Sequence, residues 1–142
     1  MTTSTAPASG PSVADRAAVA ALPGRIVEAW AKNDAQAFAE VFVPDGTMIL
    51  PGVFVSGRDA IRDFMADAFA GPYKDSRVTG DPIGLQFYSA EVGLLLTEGG
   101  FLLGDDTTVS ADNAIRASWL VTKREGSWHL AAYQNSPRDS SN

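Results

Sequence analysis

Between residues 12 and 31, apolar side chains recur at Val19, Leu22, Ile26 and Trp30, steps of three or four that lay one stripe along a helix. Pro23 and Gly24 interrupt this run. The pattern allows either one kinked helix or a first turn that ends and a new segment that begins with Pro near its start. Asn33 and Asp34 supply turn and cap chemistry for a short second helix over residues 35–42, with Phe38, Val41 and Phe42 as its apolar face. Pro44, Asp45 and Gly46 are expected to end it. Residues 47–50 and 53–55 flank Pro51-Gly52, which predicts a turn between two short strands or within one interrupted strand. After Gly57, the stripe Ile61, Phe64, Met65, Ala68 and Phe69 predicts a third helix over residues 58–70, stopped by Gly71 and Pro72.

Longer β segments follow at residues 77–89, 91–103 and 113–123, and Gly126 turns the chain into a last one at 127–135. Gly93-Leu94-Leu95-Leu96 and Ala117-Ser118-Trp119-Leu120-Val121 do not alternate, so both faces of the sheet are expected to be covered. Helices cover one face. A second copy of the chain is expected on the other, giving a sheet-to-sheet homodimer. The whole pattern predicts an α+β domain in which three N-terminal helices pack on a curved, mostly antiparallel sheet.

Composition narrows this picture. The 142 residues, 45% hydrophobic, suit one domain over residues 12–136, between flexible tails at 1–11 and 137–142 rich in Ser, Thr, Pro and Gly. Eleven Lys and Arg against 17 Asp and Glu give a net charge of -6, with no basic track for nucleic acid. The opening residues lack the basic and apolar regions of a secretory signal, and no run approaches the roughly 18 apolar residues of a membrane span. A soluble, cytoplasmic protein is expected. The absence of cysteine excludes disulfides and thiol chemistry.

Several motifs carry a resemblance: Ala29-Trp30, FVPDGT at residues 42–47, SGRDAI at 56–61, AGPYKDSRVTG at 70–80 and WHLAAYQNSP at 128–137. With the order of elements, they make the chain similar to the nuclear transport factor 2-like superfamily, which includes SnoaL-like polyketide cyclases and ketosteroid isomerases. More specifically, it resembles the SgcJ/EcaC-type proteins of enediyne polyketide biosynthesis. The resemblance implies a cone-shaped fold around a cavity. It also implies that the strand phase placing His129, Ala131, Tyr133 and Asn135 on one face turns that face toward the cavity.

The isomerases that the chain resembles carry a proton-abstracting Asp just before the Pro that follows the first short strand, and here that position is Leu50. Leucine accepts no proton, so isomerisation of a steroid enone is not expected. The matching oxyanion-donor position is Ser118, able to give one ordinary hydrogen bond. Arg116, amid apolar neighbours, is expected either to reach into the cavity or pair with an acid across the sheet, or to point outward near the strand start; if it is inside, Glu98 or Glu91 is its expected partner. Arg116, Glu98 and Tyr133 are the candidate catalytic groups. His129, the sole histidine, suits a general base at neutral pH but stands beside a turn, where a side chain is usually wet. A lone imidazole supports no metal site, and neither metal nor cofactor is expected. Asp45 reads as a turn residue, and Gly99, Gly100 and Gly104 as a hairpin or bulge rather than a phosphate loop.

The candidate ligand-binding set is Ile26, Trp30, Phe42, Leu50, Phe64, Tyr73, Arg116, Ser118, Tyr133 and Asn135: apolar walls with a polar end. The resemblance implies that the protein binds a hydrophobic polyene or enediyne-type polyketide intermediate and assists its cyclisation or tailoring. The alternative is a non-catalytic dimeric module that docks on the polyketide synthase, which needs only surface.

Overall fold

The computed structural model describes residues 11–139. All of the expected N-terminal tail but Pro11 therefore lies outside the described residues, as do residues 140–142. The first stripe forms two helices, α1 (Val13–Ala20) and α2 (Leu22–Ala31), so among the described residues four α-helices replace the expected three. Pro23 occupies the first turn of α2, where its missing N–H costs nothing, and this decides between the two readings of the interruption. Val19, Leu22, Ile26 and Trp30 remain one buried stripe across the break.

Ser12 caps α1 in a reciprocal box: its hydroxyl accepts from the Asp15 N–H, and its own N–H donates to the Asp15 carboxylate. The other oxygen of Asp15 accepts from Lys123 Nζ and Trp128 Nε1, each at 3.0 Å. One carboxylate thus pins α1 to the sheet. The Ser12 N–H, then Trp128 and Lys123, hold this carboxyl well below the usual acid range. A folded-state pKa depressed in this way gives stability that is complete above the unfolded carboxylate range, near pH 4, and is lost as pH falls toward the folded value. Asp15→Asn should therefore lower the melting temperature at pH 7 and flatten its decline in acid, as a melting series from pH 7 to 2 will read.

α3 (Ala35–Glu40) is capped by Asp34, whose carboxylate accepts from the Ala37 N–H at 3.0 Å. It ends two residues earlier than expected, because Phe42 opens strand β1 (Phe42–Leu50) opposite Leu130. Pro44 disfavours helical conformation in the residue before it, and the Leu130 N–H takes the Val41 carbonyl. Pro44-Asp45-Gly46 is then a bulge within β1, where pairing resumes at Thr47 opposite Ala132. Gly46 is required there: a Cβ would sit 3.1 Å from both the Phe42 ring and the Val43 carbonyl. Asp45 pairs with Arg124 at 3.2 Å on the surface.

β1 and β2 (Val53–Ser56) form a hairpin with Leu50 opposite Val53. Gly52, at φ 75°, takes the left-handed position that follows Pro51 in a type II turn. Helix α4 (Arg58–Ala70) covers the expected residues and buries Ile61, Met65, Ala68 and Phe69. The rest is β3 (Ser76–Ser89), β4 (Val92–Leu103), a 3-10 turn (Ala111–Asn113), β5 (Ala114–Arg124) and β6 (Ser127–Pro137). The sheet order is β2-β1-β6-β5-β4-β3, antiparallel throughout except for β1 beside β6.

β6 runs to Pro137, past the expected end at Asn135. A proline fits there because β1 pairs no further than Gln134, leaving that edge without a call on its N–H. The helices pack on one face of the sheet, and the core gathers between them around Trp30, Phe38, Phe42, Met65, Leu95, Trp119 and Leu130. Among the described residues, no helix is long and apolar enough to cross a membrane.

Candidate ligand cavity

A cavity lies between the helices and the inner face of the sheet. It is small, with a volume of about 40 Å³.

α2 contributes Ile26 and Trp30 to the wall, α4 Met65, and β1 Phe42, Met48 and Leu50. Period two on the other strands brings in Val78 and Gly80 of β3, Thr97, Gly99 and Phe101 of β4, Ile115 and Trp119 of β5, and Leu130, Tyr133 and Asn135 of β6. None of the lining side chains is charged. Val78, Gly80, Gly99 and Ile115 are partly exposed and mark the mouth, beside α2. Gly99 and Gly100 lie in continuous register within β4 rather than in a hairpin or bulge, and a Cβ on either would collide with neighbouring backbone, while Gly104, at φ 57°, starts the turn after it.

Six of the ten expected ligand-binding residues lie on this wall: Ile26, Trp30, Phe42, Leu50, Tyr133 and Asn135. Two stand behind it. Tyr73 stacks on Trp30 with ring centroids 4.9 Å apart, and Phe64 packs against the core from α4. Arg116 and Ser118 are a correction, since both side chains are exposed on the outer face of the sheet. Ala117 and Trp119 take the inward positions of β5, so strand phase alone carries Ser118 away from the cavity. Arg116 meets Glu98 of β4 at 2.9 Å, directly across the ladder and in solvent, which removes both from the candidate catalytic groups of the cavity.

His129 is also displaced. Leu120 pairs with Ala132 but Val121 pairs with Leu130, so Ala131 is an extra residue that shifts the phase of β6. Trp128 and Leu130 point inward before it, Tyr133 and Asn135 after it, and His129 falls on the other face, half-buried rather than wet. Burial first, then the charges of Arg25, Arg58 and Arg124, push its pKa down, against a hydrogen bond with the Ser127 backbone.

The polar equipment of the cavity is small. Trp119 Nε1 donates to Thr97 Oγ1 at 2.9 Å. Behind the opposite wall, Trp30 Nε1 donates at 2.9 Å to Ser76 Oγ, whose own proton goes to the Tyr73 carbonyl. Tyr133 stands edge-on to Trp119, with centroids 5.0 Å apart, and its hydroxyl accepts from Asn135 Nδ2 at 3.0 Å. Burial pushes the Tyr133 phenol up to about 12, against the Asn135 hydrogen bond, so it stays protonated at neutral pH. It can donate a hydrogen bond but not serve as a base. Thr97, Trp119, Phe101 and Leu130 were not singled out from the sequence, where apolar residues in both phases of β4 and β5 hide which one turns inward.

This architecture, with its chargeless slot, agrees with the comparison to known proteins. A family model described as SnoaL-like domain matches residues 24–99, more than half of the chain. The chain belongs to the SnoaL-like domain family. No curated protein matches it. Among solved structures, a domain of unknown function with a cystatin-like fold from Nostoc punctiforme is similar at 24% identity and TM-score 0.84, over 92% of this chain and 81% of that one. An NTF2-like protein from Novosphingobium aromaticivorans superposes at TM-score 0.78 with 19% identity, covering 91% and 85%. A ketosteroid isomerase-like protein from Erwinia carotovora does so at 0.69 with 19% identity, covering 87% and 96%. These likenesses show the fold, an open cystatin-like, NTF2-like α+β architecture.

Proposed function

We propose that this SnoaL-like protein binds a slender hydrophobic molecule in its cone, a polyene or enediyne-type polyketide intermediate, and assists its cyclisation or tailoring by holding its shape. The observation that carries this reading is the cavity: narrow, aromatic, without charge, and with hydrogen-bonding groups at the Tyr133 and Asn135 end. A linear conjugated chain is one carbon wide and flat, which suits a slot between Trp30, Phe42 and Trp119. Shape control fits better than acid-base work, because no lining group accepts a proton at neutral pH. The polyketide class itself rests on the motif resemblance.

Gly80 offers a clean test. A Cβ there would point into the cavity beside Thr97 of the neighbouring strand, 3.8 Å from its Oγ1, with no backbone in the way. Gly80→Val should leave the fold intact and block the slot. Titrating an all-trans tetraene alcohol should shift its absorbance with the native protein and not with the variant. Equal binding by both would place the ligand elsewhere.

We propose further that a second copy covers the outer face of the sheet. Leu96 of β4 and Leu120 of β5 are more than a third exposed there, and Ile83 at the kink of β3 more than half. A self-complementary patch of this kind is what a two-fold dimer buries. Light scattering should give about 30 kDa, twice the 15.0 kDa chain. A mass near that of one chain at every concentration would remove the dimer.

A further inference from the structure

Asn135 keeps only 9% of its surface exposed, and its side chain lies on the cavity wall. Nδ2 is spent on the Tyr133 hydroxyl, but Oδ1 is buried without a partner. Folded proteins rarely leave such an atom unpaired, since an unmet buried acceptor costs more than a made bond returns. Elsewhere in the wall, Thr97 Oγ1 accepts from Trp119 and so is not left without a partner. The oxygen of Asn135 is therefore an unpaired acceptor in the wall of a mostly apolar slot.

Its neighbour supplies the complement. The Tyr133 oxygen accepts from Asn135, and its own proton has no acceptor among the described residues. Burial keeps that proton in place at neutral pH. One free acceptor and one free donor thus stand side by side. A hydroxyl group matches both, because it donates one hydrogen bond and accepts another. An ether or ketone accepts only, leaving Asn135 Oδ1 still unmet. A carboxylate would set a negative charge against that oxygen in a lining without a cation.

We propose that Asn135 and Tyr133 form a hydroxyl-recognition site, which selects a neutral alcohol, phenol or enol that donates to Asn135 Oδ1 and accepts from the Tyr133 O–H. This rests on the reading that the cavity binds a hydrophobic molecule, and it names the polar group that the molecule carries.

The test uses three slender probes of one shape: 4-butylphenol, 4-butylanisole and butylbenzene, titrated calorimetrically into the full chain. The phenol should bind roughly tenfold or more tighter than the other two, the order expected when a site built for a hydroxyl meets a ligand that lacks one. Asn135→Leu, close to Asn in shape, should keep butylbenzene affinity and level the three. Tyr133→Phe should reduce the phenol's advantage in the same direction. If all three probes bind the native protein within twofold, or the anisole matches the phenol, hydroxyl recognition is overturned while the cavity reading stands. If the phenol's preference survives in Asn135→Leu, Asn135 is not its source and the proposal fails. If none of the three binds, the cavity reading falls and takes this inference with it.

Discussion

Trp30→Ala should destabilise the protein by roughly 3 to 5 kcal/mol, the range for truncating a buried aromatic side chain. Trp30 is 6% exposed and is the hub of the helical layer. Its ring stacks on Tyr73, meets Phe69 edge-on at 5.5 Å, and lies within 6.2 Å of Phe38 and 5.8 Å of Phe101. Its N–H also ties α2 to Ser76 at the start of β3, and Ala would leave that buried hydroxyl without its donor. Urea unfolding should show the loss in the midpoint with the slope unchanged. The same truncation removes one cavity wall, so tetraene binding per folded molecule should fall as well. Trp30→Phe should recover part of the stability, since it keeps the ring contacts and drops only the indole N–H. A cost below about 1 kcal/mol for Trp30→Ala would mean that the layer repacks and that Trp30 is not its hub.

Trp30 also shows what was legible from sequence. Its place on a stripe with Leu22 and Ile26 is local information, written in spacing, and the same holds for α4 and for the Pro51-Gly52 turn. Local rules also bounded every strand but β1 to within two residues. What failed was non-local. The Pro44-Asp45-Gly46 triplet reads as a helix stop and turn in isolation, yet it is a bulge because Leu130 and Ala132 of a strand more than eighty residues away set its pairing. The inward face of β6 was misassigned at His129 for a related reason. The extra residue Ala131 is visible only against its partner strand, and one unpaired residue inverts every side chain before it.

The same limit governed the site. Tyr133 and Asn135 were found because they lie beyond the bulge, where the assumed phase holds. Ser118 was drawn inward by its resemblance to an oxyanion-donor position, but Trp119 has the better claim to the core: a large aromatic side chain gains far more from burial than a hydroxyl loses by exposure. The apolar residues on both sides of β4 and β5 divide accordingly, with Leu95 and Trp119 in the core and Leu96 and Leu120 left on the outer face.

Leu50 carries the second large effect. It closes β1 just before Pro51, lines the cavity and is 8% exposed, at the position where the isomerases that the chain resembles hold their base. The native protein should therefore leave a β,γ-unsaturated steroid ketone at the rate of buffer, since neither an alkyl group nor the protonated Tyr133 phenol abstracts a proton. Rates thousands of times above buffer would show a base that the cavity wall does not display. Leu50→Asp turns this into a stability measurement. The new carboxyl would stand in a lining without a cation, so burial should raise its folded-state pKa above the unfolded value of about 3.9. With the folded pKa raised, the penalty is full above the folded pKa, fades as pH falls below it, and is gone below the unfolded value. Leu50→Asp should accordingly cost several kcal/mol at pH 7, from an uncompensated buried charge added to lost apolar packing, and recover part of that on acidification to about pH 4. Urea unfolding at pH 7, 5.5 and 4, each referred to the native protein at the same pH, reads the difference. A cost that stays constant across the three would mean that the carboxylate reaches water, and that the base position of this cone opens to solvent rather than into the apolar slot.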